Sequence, residues 1–342
     1  MNTDAARRAL LDWYDANART LPWRAAPGSG LRTDPYLVWL SEVMLQQTTV
    51  PHATPYFHAF TARWPTVGDL AAAADADVMA AWAGLGYYAR ARNLLACARA
   101  VATDHRGVFP DTEAGLLALP GVGAYTAAAV ASIAFDRAAN VVDGNVERVV
   151  ARLFAVETPV PAARPELRRL AAALVTDDRP GDWAQALMDL GATVCRPKSP
   201  ACDRCPLTAF CAGFRSGTPE RYPLKTRNAD RPRRQGIAWV LRDSRGRVAL
   251  VRRPDKGLLG GMLGLPTSDW SEGGSTAVPP VAAAWQDAGA IEHVFTHFSL
   301  TLSVRTATGQ GDFLWTGQAQ ALTSLPTVFK KALERALATV PA

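Results

Sequence analysis

The stretch from Leu119 to Asn145 constrains the fold more than any other part of this 342-residue chain. It opens on Leu119-Pro120-Gly121-Val122-Gly123, which no helix or strand passes through unbroken. The alanine-rich apolar run Ala124 to Phe135 follows and predicts a buried helix of about three turns. Asp136 to Val142 then leads to Asp143-Gly144-Asn145. Two glycines let the backbone approach a ligand closely, and the helix after them aims free N–H groups at whatever sits there. That is an anion site, and a phosphate diester suits it. The return path is long enough. A helix of about 12 residues rises about 18 Å, and about seven extended residues span about 23 Å, so Asp143 can come back to the mouth of the hairpin. A plain helix–turn–helix corner with a capping aspartate would carry the same glycines. The rest of the chain has to decide.

Asp34-Pro35 is a strong helix start, with Asp34 as N-cap and proline at the first helical position. The helix predicted from Tyr36 to about Thr48 is apolar on nearly every face and therefore buried, with Glu42 at its middle. Burial raises the pKa of such a carboxylate, so that it can hold a proton near neutrality and act as an acid. The plainer reading ties Glu42 into an ion pair with Arg19 or Arg24. Gln46, Gln47 and Thr48 end the helix either as a cap or as a face for bases. Further on, Gly84-Leu85-Gly86-Tyr87-Tyr88 sets a leucine and two tyrosines on a glycine-flanked turn, followed by Arg90 and Arg92. Aromatics beside arginines on an exposed turn can stack on bases or wedge between them, although alone they are more often core.

From Pro159 to Leu190 the pattern is helical and ends in Trp183 to Leu190. Next come Cys195, Cys202, Cys205 and Cys211, separated by six, two and five residues in a proline-rich loop. Four thiols so close take a metal in a reducing compartment rather than forming disulfides. The spacing leaves zinc or an iron–sulfur cluster open, although zinc sites usually show two Cys-x-x-Cys knuckles and this loop has one. Cys97 stands apart and reads as an apolar core residue. All five lysines lie at or beyond Lys198, which excludes a lysine Schiff base from the N-terminal half. The net charge of +6 favours acidic partners without specifying nucleic acid. No apolar run is long enough for a bilayer span and the N-terminus lacks a signal-peptide pattern, so the expected compartment is the cytoplasm.

Thr218 to Arg234, rich in proline and arginine, reads as a linker. Beyond it, Gly236 to Leu241 and Val248 to Arg252 predict strands around a turn at Ser244-Arg245-Gly246. Phe298, Leu300, Leu302 and Val304 alternate with polar residues as a half-buried strand does, and Phe329 to Val340 predicts a closing helix. A mainly helical unit therefore precedes a smaller α+β unit.

Taken together, Val38 to Thr48, Gly84 to Arg90, the hairpin Leu119 to Gly123 with Asp143, and the four-cysteine loop resemble the MutY family of adenine DNA glycosylases. That family belongs to the helix-hairpin-helix superfamily that includes endonuclease III, and the likeness runs nearly the full length. It implies a mainly α core in which a six-helix barrel domain, residues 31–135, packs on a flanking domain built from 1–30 and 136–217. It implies a linker over 218–234 and a Nudix-like domain for recognition of 8-oxoguanine over 235–342. The Nudix-like part would lack hydrolysis, because Val281 to Gly289 has none of the glutamates that would hold magnesium.

The resemblance implies a 4Fe–4S cluster on Cys195, Cys202, Cys205 and Cys211. Its implied partner is duplex DNA bearing adenine opposite 8-oxoguanine or guanine, bound by a monomer with no membrane attachment, on the nucleoid in a bacterium. Glu42 would protonate the departing adenine at N7 and Asp143 would stabilise the sugar cation, with Tyr125 and Asn145 positioning Asp143. Arg19, Trp23, Arg24, Leu45 and Gln185 match positions lining the adenine pocket. Gln47, Thr48, Leu85, Tyr87, Gly121 and Gly123 match DNA contacts, Tyr87 as the intercalating wedge. Phe295-Thr296-His297 would read the oxidised guanine, where the family usually has Phe-Ser-His. A second departure is Gly257 to Leu263, where the family carries Gly-Leu-Leu-x-Gly-x-Trp and this chain ends in leucine.

Three other readings compete. An endonuclease III-like glycosylase/lyase for oxidised pyrimidines needs a lysine where Tyr125 stands. A non-catalytic cluster protein would not need both Glu42 and Asp143. A Nudix hydrolase with an added DNA-binding domain would need the missing glutamates.

Overall fold

The computed structural model describes residues 2–226, 231–254, 257–273, 277–295 and 297–339, so Thr296 lies outside the described residues. The chain divides into two compact units, Met1–Thr226 and Arg227–Ala342.

The first unit is helical: α1 (Thr3–Asn17), α2 (Pro35–Met44), α3 (Val50–Arg63), α4 (Val67–Ala72), α5 (Asp75–Ala81), α6 (Ala89–Asp104), α7 (Glu113–Leu117), α8 (Ala124–Phe135), α9 (Gly144–Phe154), α10 (Arg164–Ala172), α11 (Pro180–Asp189) and α12 (Ala212–Arg215). Its centre is the packing of α2 and α11 against α8. Alanines occupy most of α8 and let both neighbours come close, while α2 supplies the bulk through Trp39, Leu40 and Met44, each at most 1% exposed. Burying a side chain of that size stabilises the fold by about 1.5–3 kcal/mol.

Local signals account for the helix ends. Asp34 Oδ1 accepts the Tyr36 N–H at 2.8 Å and Pro35 opens α2. The helix stops at Met44, four residues short of the expected end, because Gln47 turns into the left-handed region at φ +61°. The Arg90 guanidinium takes over the freed carbonyls of Val43 and Met44 at 3.0 and 3.2 Å, a cation placed at a helix C-terminus. Between α7 and α8, Gly121 has φ +71°, and a Cβ there would lie 2.5 Å from that of Asn93. Gly123 faces open space.

The stretch expected as a linker does not behave as one along its whole length. Tyr222 is buried, its hydroxyl donates to Glu157 at 2.6 Å, and Lys225 pairs with Val160 in a short bridge. An aromatic ring with a satisfied hydroxyl gains more by packing on the first unit than by remaining in solvent. At the other end, Arg233 and Arg234 already belong to a strand.

The second unit is a sheet with two helices: β1 (Arg233–Arg242), β2 (Val248–Arg252), β3 (Leu263–Gly264), β4 (Gln286–Val294), β5 (Ser299–Thr308), β6 (Leu314–Thr316), α13 (Gln318–Ser324) and α14 (Thr327–Ala338). The order is β3-β2-β1-β5-β4, with β6 also on β2 and β1 parallel to β5. Leu300, Leu302 and Val304 point inward from β5 against Val328, Phe329 and Leu333 of α14, as their alternation predicts. Val281 to Gly289 contains no helix and runs instead into β4. Among the described residues no helix is long and apolar enough to cross a membrane.

Candidate active site

Glu42 sits near the C-terminal end of α2 and is only 7% exposed. Burial raises its pKa above the usual carboxylate range. Smaller effects of Tyr125 and Arg24 pull it down, and nearby Asp143 pushes it up. The Tyr125 hydroxyl, one residue into α8, donates to Glu42 Oε2 at 2.7 Å. Burial and the two carboxylates hold the Tyr125 phenol well above its ordinary value, so it stays a neutral donor.

Asp143 is the N-cap of α9. Its Oδ1 accepts the Val146 N–H at 2.7 Å and its Oδ2 the Asn145 amide at 3.0 Å. Capping satisfies an orphan N–H, and a carboxylate suits the positive end of a helix. Of the two residues expected to position Asp143, Asn145 donates to it, while the Tyr125 hydroxyl donates to Glu42. The hydroxyl of Tyr125 is spent on Glu42, because α8 packs directly on α2.

A second layer holds Asn145. Arg148 Nη2 donates to Asn145 Oδ1 at 2.8 Å and to the Gly191 carbonyl at 2.7 Å, and its Nε donates to the Cys195 carbonyl at 2.8 Å. Gly191 lies in a π-helical turn, Leu190–Val194, that continues α11 to the first cysteine. A Cβ on Gly191 would lie 2.6 Å from that of Asn145, so only glycine permits this approach. Neither the turn nor the role of Arg148 has a local signal in the sequence.

The expected adenine-pocket residues separate. Arg19 and Arg24 both bind Asp189 at the end of α11, at 2.7 and 2.8 Å, rather than Glu42. Sequence reasoning missed Asp189. Trp23 is buried with its ring edge-on to Phe57, 5.1 Å between centroids, and Leu45 caps α2 half-buried. Gln185 is 5% exposed and its Oε1 is buried without a hydrogen-bond partner. It lines a cavity of about 310 Å³ walled by the 25–33 loop, Ile133, Asp136 and Gly181. Arg19, Trp23, Arg24 and Leu45 are not part of that wall.

The expected DNA-facing residues also divide. Tyr87 is 62% exposed and strained at φ +49°, and the Arg90 guanidinium lies 5.6 Å from its ring. Leu85 is 5% exposed, so it packs into the core and does not face outward. Gln47 and Gly123 are exposed, Thr48 is half-buried, and Gly121 is exposed with Asn93 filling the space a Cβ would take. In the second unit, the Phe295 N–H donates to the Phe298 carbonyl at 2.9 Å and closes a tight loop. Phe295 stacks on Trp270 at 5.8 Å, and His297 is exposed.

In the four-cysteine loop, Arg152 is 2% exposed and its Nη1 donates to Cys195 Sγ at 3.3 Å. The same side chain also binds the carbonyls of Arg196, Pro197 and Tyr222. Burial pushes the Cys205 thiol up to about 11 and raises Cys202 and Cys211, and in each case the neighbouring thiols add to the effect. The Cys211 thiol donates to the Arg152 carbonyl at 3.4 Å. Among the described residues no three His, Cys, Asp or Glu side chains are grouped as ligands of a single metal ion. Cys97 is buried in α6, and burial raises its thiol to about 12.

Residues 40–173 match the HhH-GPD superfamily of base excision DNA repair proteins, and residues 237–335 match a NUDIX domain. The chain is 36% identical to the adenine DNA glycosylase of Homo sapiens over 88% of its own length and 66% of that protein's. Against the adenine DNA glycosylase of Mycolicibacterium smegmatis it is 44% identical over 69% of its length and 80% of the relative's. Among solved structures, a thermostable thymine-DNA glycosylase is similar over 63% of this chain and all of that one, with 29% identity and a TM-score of 0.56. Identity of this extent, joined to a helical core and a Nudix-like unit in that order, places the chain in the adenine DNA glycosylase family.

Proposed function

We propose that this chain removes adenine paired with 8-oxoguanine or guanine in duplex DNA, by hydrolysing its N-glycosidic bond. The observation that carries the reading is the pair of carboxylates. Glu42 is buried and biased toward its protonated form, while Asp143 is held by an N-cap and by Asn145. Two carboxyl groups in opposite protonation states answer a reaction that needs both an acid and an anion.

The bond cannot be reached inside the base stack, so the adenine must first be flipped out. Tyr125 occupies Glu42 Oε2 as donor, which leaves the carboxylic proton on Oε1. Transfer of that proton to N7 lets the base leave neutral, with the pair of electrons of the C1′–N9 bond. The sugar becomes an oxocarbenium ion beside Asp143, which stabilises it or bonds to it until water adds. Exposed Tyr87 serves as the wedge that holds the duplex open. With no lysine before Lys198, the reaction is monofunctional.

We also infer a 4Fe–4S cluster on Cys195, Cys202, Cys205 and Cys211. The chemistry of the donor set fits: four cysteine thiols on one short loop, whose charges reach one another, and a buried guanidinium that donates to Cys195 Sγ and would offset thiolate charge. Bound there, the cluster would brace the loop whose Cys195 carbonyl anchors Arg148.

The test is incubation with duplexes carrying adenine opposite 8-oxoguanine, adenine opposite guanine, or thymine glycol, followed by alkali. Strand breaks at adenine that need the alkali are expected. Breaks at thymine glycol without alkali would overturn the reading in favour of a lyase.

A further inference from the structure

The turn that carries Tyr87 is held at each carbonyl from Ala83 to Tyr87. From α3, the Tyr56 hydroxyl donates to the Ala83 carbonyl at 3.0 Å, and His52 Nε2 lies 3.2 Å from that of Gly84. Trp82, which ends α5, donates its indole N–H to the Gly86 carbonyl at 3.0 Å. Arg90, in the first turn of α6, binds the Leu85 and Gly86 carbonyls through Nη2 at 2.8 and 3.3 Å. Its backbone N–H takes the Tyr87 carbonyl at 2.8 Å.

These bonds hold a conformation that the chain would not keep alone. Gly84 and Gly86 have φ of +103° and +70°, which glycine adopts freely. Tyr87 is bulky and has no such freedom at φ +49°. A residue in that region persists only where its surroundings over-determine it. The fit is close as well, because a Cβ on Gly84 would collide with the Tyr56 hydroxyl.

Arg90 also reaches beyond the turn. Its Nη1 donates to the Val43 and Met44 carbonyls at 3.0 and 3.2 Å, at the end of α2 directly after Glu42. The guanidinium lies 5.3 Å from the Trp82 ring and 5.6 Å from the Tyr87 ring. One planar fork thus joins the helix of Glu42 to the turn of Tyr87, and a fork fixes direction as well as distance. The Tyr87 ring itself stays 62% exposed.

We propose that Arg90 is a positioning residue that fixes Tyr87 relative to the C-terminal end of α2, so that the wedge enters the duplex as a rigid extension of the helix carrying Glu42. The proposal rests on the reading of Tyr87 as the wedge. Its consequence is kinetic. Without the fork the ring yields when it meets the base stack, and extrusion of the target base slows before any chemistry.

The experiment uses the full chain with its metal site as isolated, and duplexes carrying 2-aminopurine opposite 8-oxoguanine. The fluorescence of 2-aminopurine rises as it leaves the stack, and single-turnover adenine release is measured in parallel. Arg90→Met should slow the rise by about ten- to a hundredfold, as loss of hydrogen bonds to a charged group implies. In a Tyr87→Ala background the same substitution should add little, because the wedge it orients is gone. If Arg90→Met does not fold, Tyr56→Phe removes only the hydroxyl at Ala83. It should slow the rise by about two- to tenfold, with unchanged thermal melting and again little added in the Tyr87→Ala background. Normal extrusion with slowed adenine release would overturn the role, since Arg90 would then serve only α2. Losses that multiply fully with those of Tyr87→Ala would also overturn it, in favour of an independent contact with DNA. A wild-type chain that extrudes the base with these dependences but releases no adenine would overturn the proposed function and leave the role of Arg90 standing.

Discussion

The Tyr125 hydroxyl donates to Glu42 Oε2 at 2.7 Å, linking the first turn of α8 to the buried carboxyl on α2. A hydroxyl there does two things. It fixes which oxygen carries the proton, and it lowers the pKa that burial has raised. Tyr125→Phe should therefore lower the plateau rate of adenine release while moving its alkaline limb to higher pH. A lost hydrogen bond is worth about 0.5–1.5 kcal/mol, so the plateau should drop by about two- to tenfold. A pH–rate profile that keeps both features would remove Tyr125 from the site.

Glu42→Gln conserves shape but has no proton to give. Adenine release should fall by about 10²–10⁴-fold or more, with affinity for mispaired DNA largely kept. The same substitution tests stability. Because the folded pKa of Glu42 lies above the unfolded value of about 4.3, its contribution is complete below that value. It is lost as pH rises through the folded pKa. The amide of the variant cannot ionise. Glu42→Gln should therefore match wild type in thermal melting at low pH and exceed it at neutral and alkaline pH. Equal melting at all pH values would mean that folding does not raise the pKa of Glu42.

The parts of this site legible in the sequence are those written in local signals. Asp34-Pro35 starts α2, the alanine run is α8, and Asp143-Gly144 caps α9, because caps, prolines and apolar periodicity act within a few residues. The partners of Arg19 and Arg24 were not legible. Asp189 is 170 residues from Arg19 and 165 from Arg24, and nothing local to any of the three sets their contact. The choice of Tyr125 between Glu42 and Asp143 was hidden for the same reason. It depends on how close α8 lies to α2, which packing decides. Leu85 sits in a turn that reads as exposed, yet an apolar side chain beside a core turns inward while Tyr87 stays out.

Metal content provides an independent check. The purified chain should be yellow-brown and carry about four irons, as a cubane held by four thiolates requires. Stripping the metal should loosen the Cys195 loop and with it Arg148, which reaches Asn145 and so Asp143. Adenine release should then fall even though neither carboxylate contacts the cysteines. Stoichiometric zinc without iron after anaerobic purification would sink the cluster assignment.

Borohydride should not trap the wild-type chain on DNA. Tyr125 cannot form an imine, and every lysine lies at or beyond Lys198. Strong trapping would show that one of those lysines reaches the sugar, and the monofunctional reading would fail.

Recognition of the base opposite adenine is the remaining step, and Phe295-Thr296-His297 is the expected reader. Phe295 packs against Trp270 and lies edge-on to His293 at 4.6 Å, while its N–H closes the loop on Phe298 at the start of β5. The backbone on both sides of the loop is thereby pinned to the sheet, and His297 is exposed. A hydroxyl at 296 and an imidazole at 297 offer the groups suited to the altered edge of 8-oxoguanine. A good contact of this kind discriminates bases by about 1–3 kcal/mol, roughly ten- to a hundredfold in binding. Replacing Thr296 and His297 together by alanine should therefore narrow the preference for adenine opposite 8-oxoguanine over adenine opposite guanine. The anchor Phe295 is left in place, so the fold of the second unit should survive. Cleavage of the undamaged mispair in single turnover should change less, because Glu42 and Asp143 belong to the first unit. If both substrates slow equally, the loop serves general DNA binding and the oxidised base is read elsewhere.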